Sequence, residues 1–244
     1  MVLQISKISI KKEQIEKKTI ESLNKMIKNI IFDFDGVLVD SEILIAKAFS
    51  KYLDSLGITF GEKEFANFAG KKTTEVIDIL SQRFLIKDQK IFFDDIMKIA
   101  SNIYKQELTT VNGAYEFVSN SKFKLFIGSN SIKDRIIDGL KRVRLNEYFT
   151  DDQVYSFDLV KNPKPHPDVY LKVIKDNNLN KNETIIIEDS AVGVTAGVSA
   201  KIKVIGLTAG GHWHDKRDKN ELVDAGAITV TSNYSKIQKI IESF

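Results

Sequence analysis

Short apolar runs alternate with longer amphipathic segments along most of the chain. Five runs have the length and composition of buried β-strands: residues 29–34, 123–128, 184–188, 203–207 and 227–230. Each of the last four is preceded or followed by a segment in which apolar residues recur with helical spacing. Continuous apolar strands separated by helices are typical of a parallel sheet that is covered on both faces. The pattern therefore predicts an α/β fold.

Residues 41 to about 110 depart from this alternation. The segments "SEILIAKAFSKYLDSLG", "KKTTEVIDILSQRFL" and "QKIFFDDIMKIASNIYKQEL" are amphipathic, and no convincing strand lies between them. We therefore predict an all-helical domain, residues 43–110, inserted into an α/β core that consists of residues 29–42 and 111–244.

The first 28 residues carry most of the excess positive charge. They contain seven Lys and three Glu, whereas the remainder of the chain has 29 basic and 30 acidic residues, for a formal net charge of +3 overall. Ile15, Ile20, Leu23 and Ile27 have helical spacing, so we predict a solvated helical extension over residues 1–28. Because the remainder is electrically balanced, we expect no nucleic-acid partner.

Composition excludes several other classes of protein. The 244 residues include no cysteine, which excludes disulfides, thiolate metal sites and a cysteine nucleophile. No run reaches the roughly 18 apolar residues of a membrane-spanning helix, and the start lacks an apolar block of secretory type. We expect a cytoplasmic protein that is not embedded in a membrane. The sequence leaves its oligomeric state open.

Polar residues follow several of the predicted strands, at the edge of the sheet where parallel α/β proteins bind ligands. A lysine also lies between two prolines in "VKNPKPHPDVY", before a helix that we expect to begin near Pro167. The residues expected at this edge are Asp33, Asp35, Ser129, Asn130, Lys164, Glu188 and Asp189.

Taken singly, each of these residues could be a turn residue, a helix cap or a surface side chain. Taken together, four carboxylates need a cation, and oxygen ligands suit Mg²⁺ with a substrate phosphate. One carboxylate could attack phosphorus, while a second exchanges a proton with the leaving oxygen and with water. Lys164 and Ser129 could bind the phosphoryl oxygens.

Four motifs in this order resemble the haloacid dehalogenase superfamily, and within it the phosphatase and β-phosphoglucomutase-like group. They are "DFDGVLVDSE" (33–42), "FIGSN" (126–130), "KPHPD" (164–168) and "IIIEDSAVG" (185–193). The resemblance extends over nearly the whole chain from Asn29 onward. It implies a Rossmann-like core with an inserted helical cap, and dependence on Mg²⁺.

The resemblance also implies a role for each matching residue. Asp33 would be the nucleophile and Asp35 the acid and base, while Ser129 and Lys164 hold the phosphoryl group. Gly36 and Asn130 would lie against the substrate. The metal ligands would be Asp33, Asp189 and the backbone carbonyl of Asp35, with Glu188 beside the metal directly or through water.

Two residues bear on the reaction. Dehalogenases and phosphonate-cleaving members of the superfamily lack the second aspartate, so Asp35 favours a phosphate ester. Phosphomutases of the group have a histidine at the position of Ile45, so Ile45 favours hydrolysis. We therefore predict a phosphatase for a small phosphorylated metabolite, such as a sugar phosphate. A phosphomutase is the main alternative, and a phospho-ligand-binding module without catalysis is disfavoured because the motifs are intact.

Two further segments have less specific interpretations. "FAGKKTTEVI" (68–77) resembles the cap loop that approaches the active site, where Lys71 or Lys72 could bind the substrate; two solvated lysines are an equal alternative. "GGHWHD" (210–215) contains His212 and His214, but it lacks the other ligands of a zinc site. We interpret it as a loop at the edge of the pocket.

Overall fold

The computed structural model of the protein describes residues 26–65, 68, 73–214 and 217–243. Six strands form one parallel sheet: β1 (Asn29–Phe32), β2 (Lys124–Ser129), β3 (Val154–Ser156), β4 (Thr184–Glu188), β5 (Lys203–Leu207) and β6 (Thr229–Thr231). Their order across the sheet is β3-β2-β1-β4-β5-β6. The predicted α/β fold with a parallel sheet is confirmed.

The first strand lies in the middle of the sheet. It pairs with β2 on one side, where Ile30 faces Leu125, and with β4 on the other, where Ile30 faces Ile185. This placement brings the loop after β1 between the loops that follow β2 and β4. The order of strands changes direction at this point, which is where open α/β sheets bind their ligands.

Ten α-helices lie between or after the strands in the described part of the chain. They are α1 (Glu42–Ser55), α2 (Glu62–Phe65), α3 (Thr73–Phe84), α4 (Gln89–Glu107), α5 (Ala114–Ser119), α6 (Lys133–Arg142), α7 (Asp168–Asp176), α8 (Ala191–Ser199), α9 (Asn220–Asp224) and α10 (Tyr234–Glu242). Single 3₁₀ turns occur at Asp151–Gln153, Phe157–Leu159 and Lys181–Glu183.

Alternate residues of the central strands pack into two separate apolar clusters. Ile30 and Phe32 of β1 pack with residues of α5, α6 and α10 on one face. Ile31 packs with residues of α7, α8 and α9 on the opposite face. Because side chains alternate along a strand, a strand that is apolar throughout has both faces buried, as the sequence predicted.

Helices α1 to α4 have an apolar cluster of their own. Phe49, Leu53, Leu80, Phe92 and Ile96 are fully or almost fully buried in it. Its residues come from within 43–108, between β1 and α5. We call α1–α4 the helical segment. The domain boundaries 43–110 and 29–42 with 111–244 stay a prediction, and residues 1–25 of the predicted N-terminal extension lie outside the described residues.

The observed strands differ from the predicted ones in small ways. The first strand ends at Phe32 rather than Phe34, and the last runs from Thr229 to Thr231 rather than from Ala227 to Val230. The short edge strand β3 was not predicted. Within the described residues, no helix combines the length and the apolar character needed to cross a lipid bilayer.

Candidate active site

The loop after β1 leaves the strand geometry before its first aspartate. The Asp33 amide still donates to the carbonyl of Ile187 on β4, at 2.9 Å. Gly36 then has a φ of +75°, and its amide donates to the Val39 carbonyl at 2.8 Å. Glycine suits this left-handed backbone conformation, which L residues with a Cβ rarely adopt. The chain therefore turns directly above the end of β1.

Lys164 forms the centre of the site. Its ammonium donates to Asp33 Oδ1 and to Glu188 Oε1, each at 2.7 Å, and its side chain is only 3% exposed. Burial alone would lower the pKa of Lys164, but the carboxylates of Asp33 and Glu188 raise it well above its ordinary value. Lys164 is therefore a fixed positive charge between two of the predicted acids.

Glu188 is held by more donors than Lys164 alone. Its Oε1 also accepts from the Tyr170 hydroxyl at 2.9 Å. Its Oε2 accepts from the Asp189 amide and from the amide and hydroxyl of Ser190, at 3.0 to 3.1 Å. Both oxygens already accept several hydrogen bonds, and the side chain is completely buried. This geometry suits an anchor for Lys164 and for the loop after β4 better than a direct metal ligand.

Asp189 points the other way, toward the loop after β5. Its Oδ2 lies 2.9 Å from His212 Nε2. Burial lowers the pKa of His212 to about 4, so the imidazole is neutral at pH 7 and this contact is not an ion pair. A Cβ on Gly36 would overlap the Asp189 carboxylate, so only glycine permits the close approach of these two loops.

Asp33, Glu188 and Asp189 form a cluster of acids whose oxygens lie within 4.8 Å of one another. Burial is the main cause that raises the pKa values of Asp33 and Asp189 well above the ordinary value, and the neighbouring carboxylates raise them further. Buried carboxylates that repel one another and offer only oxygen are the donor set that a hard divalent cation would fit. Among the described residues, this cluster includes neither His212 nor His214.

The segment after β2 supplies Ser129 and Asn130. Ser129 is 1% exposed, and its Oγ accepts from the Ser131 amide at 3.0 Å. Asn130 binds the backbone of Lys164 twice, accepting from its amide at 2.9 Å and donating to its carbonyl at 3.2 Å. Asn130 thus fixes the loop that carries Lys164. This contact is structural, and the substrate-binding role of Asn130 stays a prediction.

Asp35 contacts a different set of residues from Asp33. Its Oδ1 accepts from the Ser41 hydroxyl at 2.5 Å, and its Oδ2 accepts from the Ser131 hydroxyl at 2.6 Å and from Arg135 Nη1 at 2.7 Å. Burial would raise the pKa of Asp35, but the guanidinium of Arg135 and the hydrogen bonds lower it. The carboxylate is therefore held in its ionised form.

Two cavities meet at these residues. One, of about 350 Å³, is lined by Asp33, Ser129, Lys164, Asp189 and His212 among others. The second, of about 700 Å³, lies between the core and the helical segment. Asp35, Glu42 and Ser131 line both cavities. The sequence-predicted residues are thus brought together at one edge of the sheet, except for Lys71, which lies outside the described residues together with Lys72.

The contacts of Arg135 and His212 were not predicted from the sequence. Arg135 lies in the first turn of α6, six positions after Ser129, and only this closeness to the end of β2 could have indicated it. His212 was placed in a loop at the pocket edge, which fits its position in the cavity wall, but its contact with Asp189 was not predicted. The same loop is held by the Gly211 amide, which donates to Asp40 Oδ1 at 2.9 Å.

Comparison with known proteins gives consistent matches over most of the chain. The family model described as "Haloacid dehalogenase-like hydrolase" matches residues 30–207. A phosphorylated carbohydrates phosphatase of Thermotoga maritima is 32% identical over 207 residues, which cover 82% of this chain and 92% of that protein.

Two further proteins show the same likeness. A 6-phosphogluconate phosphatase of Escherichia coli is 27% identical over 188 residues, which cover 76% of this chain and 85% of that protein. Among solved structures, a conserved haloacid dehalogenase-like protein of unknown function from Agrobacterium tumefaciens superposes with a TM-score of 0.80 at 29% identity. That match covers 89% of this chain and 98% of the other.

Proposed function

Because the chain belongs to the haloacid dehalogenase-like hydrolase family, we propose that it is a phosphatase for a small phosphorylated carbohydrate. Similar proteins named as phosphatases of phosphorylated carbohydrates and of 6-phosphogluconate support this substrate class. The observation that carries the proposal is the buried Lys164 that joins Asp33 to Glu188 beside a cavity at the edge of the sheet. A module that only binds a phospho-ligand would not need this arrangement.

Asp33 is the nucleophile in this proposal. A carboxylate oxygen of Asp33 forms a bond to phosphorus as the bond from phosphorus to the ester oxygen breaks, which leaves an aspartyl-phosphate. Lys164, already 2.7 Å from Asp33 Oδ1, keeps that carboxylate oriented and offsets negative charge as it develops. The Ser129 hydroxyl, buried at the end of β2, is available to donate to a phosphoryl oxygen.

Asp33 and Asp189 would hold Mg²⁺, together with the backbone carbonyl of Asp35, and Glu188 would support them from behind. When bound, the ion would supply positive charge beside the phosphoryl oxygens and reduce the repulsion among the buried acids. The five hydrogen bonds to the Glu188 oxygens favour this supporting role over direct ligation.

Asp35 is the proton carrier. Its carboxylate first takes a proton from solvent. The resulting acid gives this proton to the departing ester oxygen and later takes one from the water that attacks the aspartyl-phosphate, so phosphate is released, Asp33 returns as a carboxylate and Asp35 returns as the acid. Its position in the walls of both cavities supports this role, since the ester oxygen would lie where they meet.

The helical segment acts as a cap in this proposal and forms one wall of the larger cavity, where the carbohydrate would lie. Ile45 is part of that wall. Because isoleucine has no side-chain hydrogen-bonding group, this position cannot couple the acid-base step to a sugar hydroxyl. Ile45 thus favours water over a second sugar as phosphoryl acceptor, and hydrolysis over the phosphomutase reaction. Lys71 stays a candidate for the far end of the substrate.

Phosphate release from a panel of sugar phosphates, phosphorylated sugar acids and nucleotides, with Mg²⁺ or with chelator, tests the proposal. We expect steady release that needs Mg²⁺, and no release by Asp33→Asn. Lys172→Met, which removes a surface lysine of α7, serves as the matched control and should retain activity.

Three results would contradict parts of the proposal. Full turnover in chelator would exclude the metal site, and turnover by Asp33→Asn would exclude the nucleophile. Conversion of β-glucose 1-phosphate into glucose 6-phosphate without free phosphate would identify a phosphomutase.

A further inference from the structure

Arg135 links the candidate acid-base residue to the helical segment. Its Nη1 donates to Asp35 Oδ2 at 2.7 Å and also contacts the Ser131 hydroxyl. Its guanidinium carbon lies 4.8 Å from the centre of the Tyr104 ring on α4. The arginine side chain is 37% exposed, so it is not enclosed by these contacts. None of the four sequence motifs includes it.

Arg135 lines the larger cavity between core and helical segment, together with Asp35 and Tyr104. In the proposed reaction this cavity takes the part of the substrate that leaves with the ester oxygen. Arg135 is therefore placed to bind the leaving group rather than the phosphoryl group.

The contacts of Asp35 limit what it can do while Arg135 holds it. Both of its oxygens accept hydrogen bonds, and Oδ2 accepts two, from Arg135 and Ser131. An oxygen that accepts two donors has both lone pairs engaged and cannot also bond the ester oxygen. Oδ1 accepts one hydrogen bond, from Ser41, so the oxygen that Arg135 restricts is Oδ2. For Oδ2 to reach the ester oxygen, Arg135 needs another acceptor.

We propose that a carboxylate on the leaving group supplies this acceptor, and that Arg135 thereby selects phosphorylated sugar acids. The inference rests on the proposed phosphatase function. The substrate carboxylate replaces Asp35 on the planar guanidinium, which binds carboxylates through two parallel N–H donors. Asp35 Oδ2 is then free to take a proton from solvent and to give it to the ester oxygen. A sugar phosphate without a carboxylate leaves Asp35 bound to Arg135.

The charges around the cavity favour a single carboxylate over a second phosphate. The charged side chains described in its wall are the acids Asp35, Glu42, Asp134 and Asp138 and the bases Lys105 and Arg135. Asp138 is paired with Arg142, at 2.6 Å. When the substrate carboxylate takes the place of Asp35 on Arg135, the cavity gains one negative charge beside a wall that is already acidic. A second phosphate on the substrate would add almost two negative charges.

Two substrates that differ in one group test the selection. 6-Phosphogluconate has a carboxylate at C1, and glucitol 6-phosphate has an alcohol there. We expect kcat/KM to be about 10- to 100-fold higher for 6-phosphogluconate, the range of one charge-assisted hydrogen bond. In a third arm, glucitol 1,6-bisphosphate should be a poorer substrate than 6-phosphogluconate. Equal kcat/KM for 6-phosphogluconate and glucitol 6-phosphate, or a preference for the bisphosphate, would overturn the proposal.

Variants of Arg135 test whether this residue is the source of the preference for the carboxylate. In Arg135→Gln the ratio of kcat/KM between 6-phosphogluconate and glucitol 6-phosphate should fall to near 1, and in Arg135→Lys it should be intermediate because the charge remains without the planar fork. Arg142→Gln, at the other end of α6, removes an arginine that pairs with Asp138 instead, and it should keep the wild-type ratio. A ratio that is unchanged in Arg135→Gln would overturn the proposal.

The rate of phosphoenzyme formation tests whether the substrate carboxylate releases Asp35 from Arg135. Formation of the phosphoenzyme at saturating substrate, followed by rapid quench, should be faster with 6-phosphogluconate than with glucitol 6-phosphate in wild type. Equal rates would contradict the release step, since binding alone changes only the concentration needed for saturation. In addition, gluconate should inhibit wild type more strongly than glucitol, and Arg135→Gln should lose this difference even if its turnover is low.

Phosphate release by the wild type separates a failure of the proposed function from a failure of the role of Arg135. If wild type releases no phosphate from any ester in the panel, the proposed function itself is wrong. If it releases phosphate without preference for the carboxylate, only the role of Arg135 is wrong.

Discussion

Removal of the Lys164 ammonium should destabilise the folded core strongly. Lys164→Met keeps a chain of similar length but leaves Asp33 and Glu188 without the cation that each contacts at 2.7 Å. The side chains of Lys164 and Glu188 are 3% and 0% exposed, so water cannot replace the lost contact. Loss of one partner from a buried ion pair typically costs about 3–5 kcal/mol, because the remaining charge stays buried and uncompensated.

The matched control is Lys172→Met. Lys172 pairs with Asp176 at 3.0 Å on the partly exposed face of α7, where both side chains are about one third exposed. Exposed pairs four residues apart contribute about 0.3–0.5 kcal/mol. The two variants remove the same group from a Lys–acid contact of similar length, so the expected difference of several kcal/mol comes from burial.

Urea unfolding of both variants, in chelator at pH 8 and at pH 5.5, measures this difference. At pH 8 we expect the full loss for Lys164→Met. The loss should be smaller at pH 5.5, because the pKa of Asp33 is already raised by burial and rises further without Lys164, which allows Asp33 to bind a proton instead. If Lys164→Met is no less stable than Lys172→Met at pH 8, the central role of this lysine in the buried cluster is wrong.

Three further predictions concern the neighbours of Lys164. Gly193→Ala should cost at least 1–3 kcal/mol, since an added Cβ would overlap the firmly bonded Glu188 carboxylate. Gly61→Ala, where an added Cβ would meet no atom beyond the adjacent residues within 4 Å, should be neutral in thermal unfolding. In chelator, the free energy of unfolding should fall as pH rises through the raised pKa values of Asp33 and Asp189, because the folded state holds protons on these acids that the unfolded state has lost. Mg²⁺ should reverse this fall. A fall that is equal with and without Mg²⁺ would contradict the assigned metal site. His212→Ala should weaken Mg²⁺ binding several-fold in calorimetric titration, because Asp189 loses the imidazole that lies 2.9 Å from its Oδ2 and restricts its orientation, whereas unchanged binding would show that His212 only fills space.

The apolar pattern predicted the central sheet well because its strands are buried on both faces. Residues 30–32, 185–187 and 204–207 are uninterrupted apolar runs, and their burial leaves little choice of structure. The strand Val154–Ser156 could not be predicted in this way. It has three residues, pairs only with β2 and lies between short 3₁₀ turns, so it offers no repeating pattern to detect.

The site was predictable where residues follow a strand end in the sequence, and not where they reach it from elsewhere. Asp33, Ser129 and Glu188 lie at strand ends, so topology alone places them at one edge. Asp35 is not at a strand end, because β1 ends at Phe32 and the chain turns before it. In the sequence, Arg135 looks like any other basic residue on the polar side of an amphipathic helix. Its importance depends on its contact with Asp35, which lies 100 residues earlier in the chain.

The order of strands also has a consequence for the synthesis of the protein. β1 is made early, yet its partner β4 lies 155 residues later, as the pairing of Asn29 with Thr184 shows. At a ribosomal rate of about 5–20 residues per second, β1 waits roughly 10–30 s for that partner. During this time a largely apolar strand has an unpaired edge, which is a hazard for aggregation. The helical segment between β1 and β2 lengthens the wait, but its own apolar cluster allows it to fold meanwhile. We therefore expect the nascent chain to depend on chaperones until β4 leaves the ribosome.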